Sequence, residues 1–208
     1  NEKMKSLDVL NSADCLYLGF NIEFKLEDFN EAKNYLDRLL KLDSENIEYN
    51  KRSKLLEKIL QKYKAAKYTL DKIDINDAIV EYTELLSDEE LSNISIFHSG
   101  LATAYKKKDR STSFSDSLDF KFLDLSVENY RNAHSLNPYK NHDEEILNIA
   151  KYLTNLGKDS MKEDDLDKSM QYLSKANEYN PDYPAANFYM GNLYMKIQDY
   201  ELAIESYK

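Results

Sequence analysis

Apolar residues along this chain recur with the spacing of amphipathic helices, and in its last third the whole pattern returns with a longer period. Leu156-Gly157 and Met190-Gly191 lie 34 residues apart, and Leu166 with Tyr200, Ser169 with Ala203, and Leu173 with Tyr207 keep the same offset. A period that runs through two helical segments predicts a hairpin whose first helix carries the glycine and whose second carries a small residue and then a large one. Near the start, Leu18-Gly19, Ile22, Phe29, Ala32, Leu36 and Leu39 fit the same order once one residue is inserted in the turn. Further on, Ile75, Ala78, Tyr82 and Leu85 read as a second helix, preceded by a long first helix from Glu45 to Leu70 that holds Ile59, Tyr63 and Ala66. Leu101-Ala102 and Tyr105 then read as a first helix and Tyr130 and Ala133 as its partner, with an insertion at 106–117 between them. The segment from Asn141 to Ile149 lengthens the helix that follows. Asn137-Pro138 and Asn180-Pro181 punctuate the series, because proline lacks an amide proton and its ring clashes with the preceding turn; Asn141 and Asp182 then favour a turn or cap.

Five hairpins are therefore expected in a single array over 1–208, at 12–45, 46–91, 92–140, 141–183 and 184–208. Paired helices approach closely only where a side chain is small, which assigns Gly19, Gly157 and Gly191 to the crossing points and the surrounding leucines and aromatics to a core shared between neighbours. On these residues the chain resembles the tetratricopeptide repeat family, whose pattern is an aromatic, Leu-Gly, Tyr, a small residue, an aromatic, Ala and Pro. The match is fullest over Met190-Gly191, Tyr194, Tyr200, Ala203 and Tyr207. It is nearly as full over Leu153, Leu156-Gly157, Leu166, Ser169, Leu173, Ala176 and Pro181, where Ser160 and Ser169 replace the family's Tyr and Ala. The resemblance implies an all-α fold, a right-handed alpha-alpha superhelix of helical hairpins. It also implies a non-catalytic scaffold that binds a peptide or helix of a partner protein on its concave face. A chaperone or secretion helper shielding a client, and the regulatory region of a larger enzyme, are the other two readings.

Mapping the family pattern onto this chain places Leu16, Tyr17, Phe20 and Phe24 on the concave face of the first hairpin, and Thr103 and Lys106 on the third. Lys151, Asn155, Lys158 and Lys162 follow on the fourth, and Phe188, Tyr189, Asn192 and Met195 on the fifth. The expected groove has aromatic ends and a cationic middle. Tyr17 and Phe20 have an alternative role, burial against an N-terminal helix over Met4 to Leu10. A carboxylate clamp of the kind some family members carry needs basic groups around Asn155, but Ser99, Thr103, Ala185 and Tyr189 occupy those places.

Charge and composition narrow the partners. A net charge of −10 and a pI near 4.9 exclude nucleic acid, whose phosphates call for a basic surface. No apolar run is long enough to span a bilayer, so a cytoplasmic location is expected, although a sequence that opens on Asn1 leaves room for a removed targeting segment. Cys15 is the only cysteine, which rules out an internal disulfide and a thiolate zinc site. Glu163, Asp164, Asp165 and Asp167 lack the central Gly and distal Glu of a calcium loop and read as a solvated turn. His98, His134 and His142 form no helical ligand pair, and neither a Gly-rich phosphate loop nor a nucleophile elbow is present. No catalytic residue, metal or cofactor is expected. The polar stretch from Lys106 to Ser113 reads as a tolerated insertion or a phosphate acceptor. Because Lys208 falls inside the second helix of its unit, that last hairpin is expected either to fray or to be covered by a neighbouring copy in self-association.

Overall fold

The computed structural model describes residues 12–112 and 118–208, the side chains of 111 and 112 excepted. The expected helix over Met4 to Leu10 and the hydroxyls at 111–113 lie outside the described residues. Among those described there are ten α-helices and no strand. In order they are α1 (Ala13–Leu26), α2 (Phe29–Leu42), α3 (Ile47–Lys72), α4 (Ile75–Leu86), α5 (Ser95–Thr112), α6 (Lys121–Leu136), α7 (His142–Lys162), α8 (Leu166–Tyr179), α9 (Pro184–Lys196) and α10 (Tyr200–Ser206). The long α3 and the lengthened α7 fall where the pattern put them. The insertion is partly helical, since α5 continues through Thr112. Asn137-Pro138 and Asn180-Pro181 stand immediately past α6 and α8.

Three of the turns between helices are built identically. Glu27, Asp164 and Gln198 adopt left-handed backbone with φ of 58°, 66° and 65°. Each is followed by an aspartate, Asp28, Asp165 or Asp199, whose amide donates back across the turn to Glu23, Ser160 or Tyr194 at 2.9 Å. This is the bond that ends a helix on a left-handed residue. The same aspartate's carboxylate then accepts from the backbone amide of Glu31, Lys168 or Leu202 and starts the next helix. One three-residue device therefore both stops and restarts the chain. At 184 the start differs: Pro184 occupies the first helical turn, where its missing donor is harmless, and Tyr183 rather than Asp182 is the cap residue. Asn141 takes the cap position of α7, yet its amide donates to Glu144 and caps no backbone group.

The second helices share a buried i, i+4, i+7 stripe that opens on a small residue: Ala32-Leu36-Leu39, Ala78-Tyr82-Leu85, Ser126-Tyr130-Ala133 and Ser169-Leu173-Ala176. Ala203 is buried at the same place in α10. Opposite these stripes lie the glycines. A Cβ on Gly157 would come 2.7 Å from Leu173 Cγ, and one on Gly19 would come 2.5 Å from the Tyr35 ring. Gly191 sits under Tyr207 in the same manner. Gly100 departs from the scheme, because it lies beneath Tyr82 of the preceding hairpin, while the expected crossing pair, Leu101 and Ala102, is buried.

The described residues pack as two compact units, one formed by those up to 104 with 132–140 and the other by those of 105–131 with 141–208. In the first unit, the hairpins α1/α2 and α3/α4 pack on one another, and Glu27 fixes the entry of α5. Its carboxylate accepts from the Ser95 amide at 2.6 Å, the Ser95 hydroxyl at 2.7 Å and the Ile96 amide at 3.3 Å. Asn137 donates to the Lys25 carbonyl beside it. In the second unit, α7/α8 and α9/α10 pack around Leu173, Met190 and Leu193, with Met161, Leu166, Met170, Tyr189 and Tyr194 against them. Lys175 bridges Asp124 and Glu178, while Tyr179 donates to Asp124 and accepts at its carbonyl from Arg131, which ties α6 to α8.

Substituting Gly157 by alanine is expected to lower stability by up to about 2 kcal/mol, overpacking of roughly 1–3 kcal/mol less a helix-propensity gain near 1 kcal/mol. Gly191→Ala is expected to destabilise less, since Tyr207, although held by Phe188 and Asn192, is 46% exposed where Leu173 is buried. Urea denaturation of the two variants measures the contrast. A second expectation concerns Asp109, a buried carboxyl on α5 that burial pushes up to about 6 from the ordinary 3.8. The native state holds this proton more tightly than the unfolded chain, so the burial penalty is present in full above pH 6 and is lifted as pH falls through that value. Asp109→Asn should therefore gain roughly 1–3 kcal/mol at pH 8, at about 1.4 kcal/mol per unit, with the gain gone near pH 4; thermal melts across pH test it.

Candidate functional site

Residues Lys151, Asn155, Lys158 and Lys162 follow one another by four, three and four positions and form a single stripe along α7. Phe188, Tyr189, Asn192 and Met195 form the corresponding stripe on α9. The two stripes meet inside the second unit where the Lys158 ammonium lies 5.5 Å from the centre of the Tyr189 ring, a cation–π contact. Phe188 meets Tyr189 edge-on at 5.4 Å and Tyr207 at 6.1 Å. Tyr207 also donates its hydroxyl to Asn192 at 2.7 Å, so α10 braces this stripe from behind. Phe188 and Met195 nevertheless remain 52% and 48% exposed. Among the cations, Lys162 pairs with Asp159 at 2.7 Å, a hydrogen bond that raises the ammonium's pKa and lowers the carboxylate's. Lys151 and Asn155 are exposed. The face thus offers apolar rings beside Lys151 and Lys158, neither of which pairs with a carboxylate within 4 Å among the described residues.

The remaining expected face residues are placed otherwise. Leu16 and Phe20 are 1% and 0% exposed and belong to the core of the first unit. The reason is the neighbouring first helix: α3 lies against α1, with Tyr49 5.8 Å from Tyr17 and Arg52 over the Phe20 ring. Tyr17 and Phe24 are half-buried in a continuous run of rings through Phe20 to Phe29. The Thr103 hydroxyl donates to the Ser99 carbonyl of its own helix. Lys106, in the second unit, is committed to Glu145 and to the face of Tyr130. Of the acidic run, Asp165 caps α8 and Asp164 accepts from Lys196 at 2.6 Å.

The sequence model described as tetratricopeptide repeat matches residues 18–46, 150–183 and 185–208. Each stretch holds one of the three congruent left-handed turns and one glycine lying beneath a side chain of its partner helix. The chain carries tetratricopeptide repeats. No curated protein matches it. Similar solved structures include a crystal structure of MamA protein, with 16% identity over 94% of this chain and 87% of that one, at a TM-score of 0.30. A second crystal structure of MamA shows 17% identity over 90% of each chain, also at 0.30. The tetratricopeptide repeat identifies the chain in general terms as a scaffold for protein–protein interaction, and no helix among the described residues is long and apolar enough to cross a membrane.

Sequence reasoning missed Glu27, which has no local signature: its partners Ser95 and Ile96 lie nearly seventy positions away. It also missed that Leu18 and Ile22, pattern residues of the first tetratricopeptide hairpin, are 61% and 48% exposed. Their counterparts on α9, Met190 and Tyr194, are covered by α8. The division between structural and available lysines is testable. Lys106→Met is expected to cost about 1 kcal/mol through the loss of a partly buried pair, and Lys151→Met nothing measurable, in parallel urea titrations.

Proposed function

We propose that the α7/α9 face binds a segment of a partner protein, extended or helical, that brings an apolar anchor to Phe188, Tyr189 and Met195 and acidic groups to Lys151 and Lys158. The observation that supports this most is the exposure of Phe188 and Met195 on the same helix as a tyrosine whose ring is already overlain by a lysine. Exposed aromatic surface next to a cation that lies on a ring is the composition of an interface hot spot. Asn155, between the two lysines, adds an amide able to hold the segment's backbone. Because the chain as a whole is acidic, the match to an acidic partner has to be local. It therefore rests on these two lysines, and screening by salt should weaken it.

Selection from a random displayed peptide library against the full chain tests the reading. Enriched peptides should combine an aromatic or long aliphatic residue with nearby Asp or Glu. Their affinity should fall about tenfold in Phe188→Ala or in Lys158→Met, the equivalent of about 1.4 kcal/mol for each. Peptides that bind equally well to both variants would overturn the assignment of this face. Enrichment for unrelated apolar sequences without acidic residues would replace it with the shielding of a client.

A further inference from the structure

We infer that a cleft in the first unit, where α3 runs past the start of α2, binds a small aromatic molecule carrying a single carboxylate. The cleft follows from unequal helix lengths. α2 has 14 residues and α3 has 26, so α3 projects beyond the start of its antiparallel neighbour by about three turns. α4 returns along α3, and Asn30, in the first turn of α2, forms part of the wall of a cavity of about 430 Å³. That volume lies within the range of small-molecule sites. The middle of the cleft is a helical stripe, Leu60, Lys64 and Lys67, spaced by four and three positions and flanked on the helix surface by Tyr63 and Tyr68. The Lys67 ammonium lies 5.7 Å from the centre of the Tyr63 ring, so this wall already sets a cation on an aromatic face. Tyr68 is 62% exposed. Rings on both sides of an apolar and cationic stripe suit a flat aromatic ligand, which gains from stacking and from the ammoniums together.

Charge decides what the ring must carry. Lys58, earlier on α3, is held by Asp88 and Glu90. Lys64, Lys67 and Lys72, all in the wall of the cleft, have no carboxylate within 4 Å among the described residues. Three ammoniums gathered on a chain of net charge −10 make a local site for an anion. Two features limit that anion to one charge. Asp71 lines the same cleft, and the site lies against the last turns of α3, where the carbonyl end of the helix dipole is negative. A phosphate ester, with its second charge, meets both. This inference concerns the first unit and does not depend on the α7/α9 face, so its failure would leave the proposed function standing.

Calorimetric titration of the full chain with 2-naphthoate at pH 8 reads out the site, with 2-naphthylmethanol as the uncharged counterpart and 2-naphthyl phosphate as the dianion. 2-Naphthoate should bind with a submillimolar Kd, and both relatives about tenfold more weakly, the step expected for one charge-assisted contact. Lys67→Met and Tyr68→Ala, both at exposed positions and checked for folding by circular dichroism, should each weaken 2-naphthoate by a similar factor. Lys62→Met removes the same charge from an exposed position of α3 outside the cleft and should leave binding unchanged. The inference would be overturned by absence of saturable binding, by equal affinity for the alcohol, or by tighter binding of the phosphate. Affinity that survives both cleft substitutions, or falls equally in Lys62→Met, would also overturn it. Displacement of 2-naphthoate by tetraglutamate at lower concentration would overturn it in favour of an acidic protein segment.

Discussion

Two helices can lie against one another only as closely as their bulkiest contacting side chains allow, and in this protein that distance is set by residues with almost no side chain. Gly19, Gly157 and Gly191 lie under Tyr35, Leu173 and Tyr207 of their partner helices, so that even one added carbon would meet the opposing side chain. The small residue that opens each second-helix stripe, from Ala32 to Ala203, is buried throughout. With the crossing fixed, the large residues three and four positions away fall into register as a core. The same geometry decides which residues are left facing outward, and through them what the molecule is able to bind.

The turns act on this constraint from the other side. A left-handed residue followed by an aspartate ends one helix and starts the next within three positions, so the glycine of the first helix meets the second at a level that varies by no more than one residue. In the first hairpin, α2 starts one residue later relative to its glycine than α8 and α10 do, and the ring over Gly19 belongs to Tyr35 while Leu36 occupies the core. A local change of register is thus absorbed by exchanging which of two adjacent side chains covers the crossing. Glu27 shows a turn residue with a second role, since its backbone reverses the chain while its carboxylate caps a helix from a distant part of the sequence.

Helix order, the long α3, the stops before Pro138 and Pro181, and the crossing glycines were all legible in the sequence, because each rests on spacing or on local backbone chemistry. How far each expected face residue is exposed was not legible, because it depends on neighbouring helices. Periodicity identifies the stripe of a helix that carries Leu16 and Phe20 but contains nothing about α3, whose Tyr49 and Arg52 close over that stripe. Lys106 reads from sequence as one more cation of the groove, and only the placement of Glu145 and Tyr130 turns it into a structural residue. Conversely, the exposure of Leu18 and Ile22 was hidden because spacing marks a hairpin's apolar positions and not which of them a further helix covers.

The central claim, that contact across the glycine limits how closely the helices approach, is tested most directly by a double-mutant cycle joining Gly157→Ala to Leu173→Ala. Shortening Leu173 removes the group that the new methyl meets, so the cost of Gly157→Ala should fall by at least about 1 kcal/mol in that background, within the range of coupling seen between touching residues. Strictly additive costs would contradict the account.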